Sequence, residues 1–274
     1  MKQKYNVILD TDIGNSWDDQ FALAYLLKNE YLFNIEAITI ESFKHTENES
    51  IIDNQEISYN EVINISKLLS KDVKNKIYRF SNNEAVEKII EIANKNDKTY
   101  ILAIGGLSNI SLAINKNPNI INKIEIIWLG GNSIEYGNNK EFNFMQDIDA
   151  SFNVINSNIN MTIIPAKNVA VDLMIKKEEL EKRLDMNKEI SQYLCKRFVN
   201  DSYYGAKNER VIWDISVIAY LINKNWFETK EIKGLSLSES LQYYTNSSTV
   251  TKLIVEKLDN NKIYDDLFEV LNRE

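Results

Sequence analysis

The chain has 274 residues, of which 40 are acidic and 32 basic, and its formal net charge is −8. One cysteine, Cys195, excludes an intramolecular disulfide and cysteine-rich zinc or iron–sulfur sites, and one histidine, His45, excludes metal centres that need two. The acidic balance argues against nucleic acid and anionic membrane surfaces as partners.

The length and hydropathy of the chain also indicate the number of domains and the cellular location of the protein. A chain of this length with 44% apolar residues fits one large folded domain, which we expect to span residues 1–274. No apolar run approaches the roughly 20 residues needed to cross a bilayer, and residues 1–5 lead directly into a strand-like segment without a secretory leader. We therefore expect a cytoplasmic protein.

Short apolar segments alternate with longer amphipathic ones along the chain. The apolar segments predict strands at residues 5–9, 35–40, 77–80, 100–104, 124–129 and 161–165. The amphipathic segments predict helices at residues 18–28, 56–69, 84–94, 109–114 and 146–156. Further on we expect a mostly helical region at residues 176–223, a strand near residues 252–256 and a last helix from Tyr264. The alternation predicts an α/β fold with a mostly parallel central sheet and helices on both faces.

Four carboxylates fall at the first strand-to-helix loop, within the segment VILDTDIGNSWDDQFAL (7–23). Asp10 and Asp12 lie where the predicted strand ends, and Asp18 and Asp19 open the next helix. Ligands of open α/β sheets bind at the carboxyl ends of the strands. Clustered carboxylates repel one another, and a hard divalent cation with oxygen ligands is a natural compensation. A favourable helix N-terminus would explain Asp18 and Asp19 but neither of the other two.

Other polar residues fall near the same edge of the predicted sheet. Glu141 and Asn143 follow a Gly-Gly pair and a polar loop after a predicted strand. Asp214 interrupts the apolar run VIWDISVIAY, where an unpaired carboxylate is costly to bury. Asp214 could belong to the same site, or it could cap a helix or pair with Arg210.

The N-terminal segment and four later segments match one known family in sequence order. The later segments read AIGGLSNISLAI (103–114), WLGG (128–131), EFNF..D (141–147) and VIWDISVIAYLI (211–222). Together they resemble the inosine/uridine-preferring nucleoside hydrolases. The resemblance implies a Rossmann-like fold, a bound Ca²⁺ and hydrolysis of the N-glycosidic bond of ribonucleosides to free base and ribose. It also implies assembly as a homodimer or homotetramer.

The resemblance further implies roles for individual residues of this chain. Calcium would be held by the carboxylates of Asp10, Asp19 and Asp214 and by the backbone carbonyl of Ile104. Asp10 would also be the base that takes a proton from the calcium-bound water. The ribose hydroxyls would be bound by Asp18, Glu141 and Asn143, with Asn138 or Asn139 near the 5′-hydroxyl. Carboxylates suit a reaction in which positive charge develops on the sugar ring.

Three positions depart from the family pattern. Many relatives carry an acidic residue where Ser16 stands, and a Gly-Asn pair in the loop where this chain has Lys44. Some relatives carry a histidine before the last calcium aspartate, where this chain has Trp213. Trp213 could stack on the base, which is worth about 1–3 kcal/mol, or could only pack within a helix. The remaining candidate donors of a proton to the departing base are His45, Tyr203 and Tyr204.

Two other functions fit parts of the pattern. A non-catalytic or repurposed ribose- or nucleoside-binding protein on the same fold fits the departures at Ser16 and Trp213. A Mg²⁺-dependent phosphotransferase would use Asp10 and Asp12, but Gly14 stands where such enzymes usually carry Thr or Val. Because every predicted calcium carboxylate is present, the sequence favours the hydrolase.

Overall fold

The structure is a computed structural model and describes residues 4–201 and 203–274. Its strands are β1 (Tyr5–Thr11), β2 (Phe33–Ile40), β3 (Ile77–Arg79), β4 (Thr99–Ala103), β5 (Ile124–Leu129), β6 (Asn160–Ile164), β7 (Met174–Lys176), β8 (Asn200–Asp201), β9 (Gly205–Ala206), β10 (Glu209–Val211), β11 (Phe227–Lys233), β12 (Leu235–Leu237), β13 (Tyr243–Thr245) and β14 (Thr251–Leu258). Its α-helices are α1 (Asp19–Lys28), α2 (Ile51–Leu68), α3 (Glu84–Lys95), α4 (Ser108–Lys116), α5 (Phe142–Gln146), α6 (Ile148–Asn156), α7 (Lys177–Arg183), α8 (Glu189–Val199), α9 (Ile215–Ile222) and α10 (Asn260–Asn272).

Within the described residues, the central sheet has eight strands in the order β11-β14-β6-β5-β4-β1-β2-β3. The pair β11 and β14 is antiparallel, and the other neighbouring pairs are parallel. β1 lies between β4 and β2, so the loop that follows it opens near the middle of the edge where the parallel strands end. The predicted α/β fold with a mostly parallel sheet is confirmed.

Apolar side chains of the strands alternate between two cores, one on each face of the sheet. In β1, Val7 and Leu9 join the core beneath α1, α2, α9 and α10, whereas Ile8 joins the core beneath α3, α4 and α6. Burial on both faces explains why these strands read as nearly continuous apolar runs. Helices therefore cover both faces, as predicted. In the part of the chain that the structure describes, none of the helices combines the length and the apolar character needed to cross a membrane.

The second half of the chain contains strands that the apolar pattern does not predict. β11, with the sequence FETKEIK, is a charged edge strand beside β14. Edge strands often carry charged residues, which prevent pairing with other chains, so they lack the apolar run of a buried strand. The region at residues 176–223, predicted to be mostly helical, contains α7, α8 and α9, and the short ribbons of β7 with β10 and of β8 with β9 interrupt it.

Polar caps shift the starts of three predicted helices. The side-chain oxygens of Ser50, Asp147 and Asp259 accept hydrogen bonds from backbone N–H groups three residues further on, at 3.2, 2.8 and 3.1 Å. Such caps satisfy N–H groups that have no partner inside the helix. As a result, α2 and α10 begin earlier than predicted and α6 begins later, after the separate short helix α5.

Candidate active site

Three buried aspartates meet where the central parallel strands end. Asp18 and Asp19 come from the start of α1, and Asp214 stands directly before α9. Each offers one carboxylate oxygen, and these oxygens all lie within 4.8 Å of one another. We call these three residues the aspartate triad. Because α1 packs against α9, the fold brings together two segments that lie far apart in the sequence.

Two hydroxyl groups support the aspartate triad. Thr11 Oγ1 donates to Asp19 Oδ1 at 2.6 Å, and Ser16 Oγ donates to Asp18 Oδ1. Asp19 Oδ2 is buried and accepts no hydrogen bond from the residues that the structure describes. A buried carboxylate oxygen without a partner is costly unless a cation binds it. Ser16, which departs from the family pattern, thus contributes to the site by holding Asp18.

Asp12 lies near the aspartate triad, since its charge raises the pKa of both Asp19 and Asp214. It directly follows β1, it is fully buried, and neither of its carboxylate oxygens has a hydrogen-bond partner within residues 4–201 and 203–274. Burial raises the pKa of Asp12 well above its usual range, and the nearby charge of Asp18 raises it further. Burial also raises the pKa of Asp19 and Asp214, and repulsion within the cluster adds to the effect. A bound cation would relieve this repulsion.

The geometry of the cluster fits a hard divalent cation. Calcium–oxygen bonds are about 2.3–2.6 Å long, so two oxygens that share one ion lie no more than about 5 Å apart. The oxygens of the aspartate triad meet this limit. Asp12, outside this distance group, has two further buried oxygens without hydrogen-bond partners among the described residues, and Ile104, directly after β4, lines the same cavity. An all-oxygen donor set suits calcium or magnesium rather than zinc.

Gly105 leaves the space that the Asp12 carboxylate occupies. A Cβ atom at Gly105 would lie 3.1 Å from Cγ and from Oδ1 of Asp12. We expect Gly105→Ala to displace this carboxylate and to weaken Ca²⁺ binding about tenfold, as measured by isothermal titration calorimetry. Gly106→Ala is the matched control, because its Cβ would lie 3.5 Å from Gln146 Cβ, an ordinary contact. Equal calcium affinities of the two variants would contradict the placement of Asp12 at the cation site.

Asp10, predicted to be a calcium ligand and the base, is not part of the aspartate triad, and its Oδ2 is buried without a hydrogen-bond partner among the described residues. Its Oδ1 accepts hydrogen bonds from Thr39 Oγ1 at 2.5 Å and from Asn109 Nδ2 at 2.9 Å. Burial raises the pKa of Asp10 to about 7. The position of Asp10 has a physical reason: hydrogen-bonded pairing with β2 and β4 continues β1 beyond its apolar residues, so that the strand includes Asp10. Asp10 is therefore inside the sheet, and Asp12 takes the position at the strand end.

A cavity of about 350 Å³ lies over the aspartate triad, within the size range of small-molecule sites. Four aromatic side chains line it: Trp17, Phe142, Tyr204 and Trp213. The remaining lining residues, besides the triad and Ile104, are Asn15, Ser16, Leu129, Asn132, Lys140, Glu141, Asn143, Ala166 and Lys167. The cavity thus has an acidic floor and a partly aromatic wall.

Glu141 and Asn143 line the cavity, as predicted, and both also organise its walls. Glu141 caps α5, where its carboxylate accepts hydrogen bonds from the backbone N–H groups of Gly131, Asn143 and Phe144 at 3.0, 3.0 and 3.1 Å. Burial raises its pKa to about 7. Asn143 Nδ2 donates to the backbone carbonyls of Ile104 at 3.2 Å and of Leu129 at 3.0 Å. These bonds connect α5 to the ends of β4 and β5.

Three residues considered for substrate contacts lie outside the cavity lining, namely Asn138, Asn139 and Lys44. The side chain of Asn139 is buried and accepts a hydrogen bond from the backbone N–H of Asn132 at 2.9 Å. Asn138 Oδ1 accepts the backbone N–H of Lys140 at 3.0 Å. Both asparagines therefore shape the loop before Glu141, and the expected contact with a 5′-hydroxyl has no support in their positions.

Of the residues considered for the base side, Trp213 and Tyr204 line the cavity, whereas His45 and Tyr203 do not. The ring of His45 stacks on Tyr203 with 3.6 Å between centroids, and its Nε2 lies 3.1 Å from the backbone carbonyl oxygen of Asn15. Tyr203 is 51% exposed. Burial raises the pKa of Tyr204 to about 12, so its hydroxyl is a weaker acid than that of an ordinary tyrosine.

Several cavity residues carry no sequence-based prediction, among them Trp17, Asn132, Lys140 and Lys167. Lys140 directly precedes Glu141, Asn132 directly follows a Gly-Gly pair, and Lys167 follows a predicted strand closely. The rule that ligands bind at the carboxyl ends of parallel strands therefore applies to them as well. The same rule, applied to the true end of β1, identifies Asp12.

The comparisons with known proteins agree with this geometry. The family model described as inosine-uridine preferring nucleoside hydrolase matches residues 63–265. A plant nucleoside hydrolase superposes with a TM-score of 0.79 at 13% identity, covering 99% of this chain and 100% of that chain. An inosine-guanosine nucleoside hydrolase superposes with a TM-score of 0.77 at 16% identity and covers 98% of this chain and 99% of that chain.

A third solved structure, a purine-preferring ribonucleoside hydrolase from Gardnerella vaginalis, gives a TM-score of 0.75 at 16% identity and covers 97% of this chain and 98% of that chain. At such low identities the structural matches show the shared fold. The family model, which spans most of the chain, shows the relationship itself. The chain belongs to the inosine-uridine preferring nucleoside hydrolase family, and its enzyme class is that of the nucleoside N-ribohydrolases.

Proposed function

We propose that the protein is a calcium-dependent hydrolase that cleaves the N-glycosidic bond of ribonucleosides to give free base and ribose. The observation that supports this most is the aspartate triad beneath the cavity, with the charge of Asp12 near enough to raise the pKa of Asp214. Asp12, Asp19, Asp214 and the carbonyl of Ile104 are the residues that would hold the ion. When bound, calcium would orient the attacking water and the ribose diol.

Asp12 takes the proton from the attacking water in this proposal. Water is a weak nucleophile at neutral pH, so a carboxylate within hydrogen-bond reach is needed as a base. Both oxygens of Asp12 are free of hydrogen bonds from the described chain, so one can face the ion and the other the water. The positive charge that develops on the ribosyl ring is stabilised by the carboxylates around it, those of Asp18 and Glu141 among them.

The ribose contacts follow from hydrogen-bonding capacity that the protein leaves unused. The carboxylate of Glu141 accepts three N–H groups out of about four that its lone pairs allow. The amide nitrogen of Asn143 donates to two strand-end carbonyls, which leaves its Oδ1 to accept a hydroxyl. Asp18, held by Ser16 through one carboxylate oxygen, lines the cavity. We infer that these three side chains bind the ribose hydroxyls.

The departing base contacts aromatic side chains in this proposal. Trp213 and Tyr204 line the cavity, and Tyr204 packs edge-on against Trp17 with 5.4 Å between centroids. Stacking on an aromatic ring tolerates different bases and is worth about 1–3 kcal/mol per base. Since His45 is held against Asn15 and Tyr203 outside the lining, we infer that stacking on Trp213 supports departure of the base.

A reducing-sugar assay with a panel of purine and pyrimidine ribonucleosides tests the proposed function. We expect release of ribose from at least one ribonucleoside, loss of at least about 99% of the rate in excess chelator, and recovery on addition of Ca²⁺. The same assay with Mg²⁺ in place of Ca²⁺ shows which cation the site requires. Binding of nucleoside and calcium without hydrolysis across the panel would contradict the proposal and would favour a binding protein on the same fold.

Three further expectations stay predictions: organisation as one domain over residues 1–274, a cytoplasmic location, and assembly as a homodimer or homotetramer. Light scattering after size exclusion measures the last of these directly. A monomer at micromolar concentration would exclude the assemblies that the family resemblance implies.

A further inference from the structure

Two lysines, Lys140 and Lys167, stand at the rim of the cavity. Both line it, and both are exposed. Many exposed lysines of this protein pair with a carboxylate, as Lys71 does with Glu30 at 2.6 Å. Neither rim lysine forms such an ion pair within the described part of the chain, although the protein as a whole is acidic. We call these two residues the lysine pair.

We propose that the lysine pair binds a phosphate group on the substrate, so that the protein cleaves ribonucleoside 5′-monophosphates. The inference rests on the proposed function, because it places the sugar of the substrate on the acidic floor. A phosphate monoester carries about −1.5 to −2 charges at neutral pH. Two ammonium groups supply the matching charge, and each donates charge-assisted hydrogen bonds to phosphate oxygens.

One buried side chain holds the two lysine-bearing loops together. Asn132 is 1% exposed, and its Nδ2 donates to the backbone carbonyl oxygen of Asn138 at 3.1 Å. Its Oδ1 accepts the backbone N–H of Lys167 at 3.3 Å. The backbone N–H of Lys140 donates in turn to Asn138 Oδ1 at 3.0 Å. The backbone positions of both lysines are therefore fixed by one network, which reduces the entropy lost when they bind a ligand.

The lysine pair faces the cavity rather than open solvent alone. The ammonium nitrogen of Lys167 lies 5.7 Å from the ring centroid of Trp213, which lines the cavity. Lys140 directly precedes Glu141, a second lining residue. The carboxylate of Glu141 accepts three backbone N–H groups from its own helix cap and from Gly131. These N–H groups partly neutralise the charge of the Glu141 carboxylate, so that the lysines are not needed to do so.

The position of the phosphate follows from the chemistry of the sugar. The 2′- and 3′-hydroxyls must be free to reach the carboxylates and the cation on the floor. The 5′-oxygen is then the remaining ribose oxygen that can carry a phosphate without blocking the floor. In the reaction, the water oxygen bonds to C1′ as Asp12 takes one of its protons, and the C1′–N bond breaks with its electron pair leaving on the base. The base then takes up a proton from solvent and Asp12 releases its proton to solvent, so one water is consumed and the products are free base and ribose 5-phosphate.

Steady-state kinetics with matched substrate pairs, such as adenosine against adenosine 5′-monophosphate and uridine against uridine 5′-monophosphate, test the proposal. The wild-type protein is expected to show a higher kcat/KM for the 5′-monophosphate of the preferred base than for the nucleoside. Lys140→Gln and Lys167→Gln should each lower kcat/KM for the 5′-monophosphate about tenfold, and the double variant about 100-fold. Lys233→Gln, an exposed lysine on β11, is the charge-matched control.

Ionic strength supplies an independent readout. Because phosphate binding by exposed lysines is screened by salt, kcat/KM for the 5′-monophosphate should fall as salt rises, and this dependence should be weaker in the double variant. The proposal is overturned if nucleosides are the better substrates, or if the lysine variants lower kcat/KM for both substrates of a pair equally.

Binding of products separates this inference from the proposed function. Calorimetry with ribose 5-phosphate and with ribose, each in the presence of Ca²⁺, needs no turnover. Tighter binding of ribose 5-phosphate that is lost in the double variant supports the phosphate site even if no substrate is hydrolysed, in which case the proposed function fails alone. Equal binding of the two sugars, together with hydrolysis of nucleosides, overturns the phosphate site and leaves the proposed function standing.

Discussion

Asp12→Asn is expected to lower kcat/KM for ribonucleosides by about 10³-fold or more. General-base catalysis alone contributes about 10²–10⁴-fold, and Asp12 also supplies two oxygens beside the cation site that accept no hydrogen bond from the described residues. An amide at this position cannot accept the proton of the attacking water. Initial rates with the best ribonucleoside, measured at saturating Ca²⁺, give the size of the loss.

Asp10→Asn is the matched comparison, because it makes the same chemical change close by in the same segment. Its Oδ1 is engaged by Thr39 and Asn109, so we expect activity within about tenfold of the wild type. We expect Asp10→Asn to lower the free energy of unfolding by about 1–3 kcal/mol, because it weakens a buried hydrogen-bond network. Urea unfolding measures this loss. If Asp10→Asn abolishes turnover while Asp12→Asn retains it, the assignment of the base to Asp12 is wrong.

In the absence of calcium, we expect the free energy of unfolding to decrease as the pH rises from about 5 to about 8. Burial raises the pKa of Asp18 to about 6 and that of Asp10 and Glu141 to about 7. The unfolded values lie near 4. Between these values the folded protein binds more protons than the unfolded chain, so the free energy of unfolding decreases with pH in this window. The combined loss should amount to about 3 kcal/mol or more in chelator.

Calcium should oppose this trend, because it binds the ionised carboxylates and binds them better as pH rises. We expect the stabilisation by millimolar Ca²⁺ to be larger at pH 8 than at pH 5, and to be absent in Asp214→Asn. Urea unfolding at each pH, with calcium and with chelator, provides the comparison. A free energy of unfolding that increases with pH in chelator, or a calcium effect that is independent of pH, would show that the buried carboxylates are compensated by something other than this cation.

The sequence predicts the fold and most of the acidic floor for identifiable reasons. Strands buried on both faces produce near-continuous apolar runs, so the central sheet is visible in the pattern. Asp214 is recognisable because a lone carboxylate in an apolar run needs a partner. The exact end of β1 is not visible, because it depends on hydrogen bonds to β2 and β4 rather than on hydropathy. The position of this strand end distinguishes Asp10, which the sequence predicts as the base, from Asp12, which we propose.

The aromatic and basic parts of the site depend on loop conformation, which the sequence pattern constrains less. His45 is in the loop after β2 and stacks on Tyr203, a contact between distant segments that no local spacing indicates. The loop before Glu141 is organised by Asn132, so Lys140 reaches the rim, whereas the neighbouring Asn138 does not line the cavity. Contacts of this kind are set by tertiary packing. Charged edge strands such as β11 are missed because they lack the apolar run by which buried strands are recognised.

The contact between α1 and α9 has a consequence for how the protein folds. The aspartate triad joins Asp18 and Asp19 to Asp214, which lies far along the sequence, so forming the triad closes a long loop. Contacts of high sequence separation form late during folding as a rule. A ligand that binds only the completed cluster stabilises the native state after the transition state is passed, so calcium should slow unfolding and leave the folding rate nearly unchanged. During synthesis, the aspartate triad can form only once Asp214 has left the ribosome.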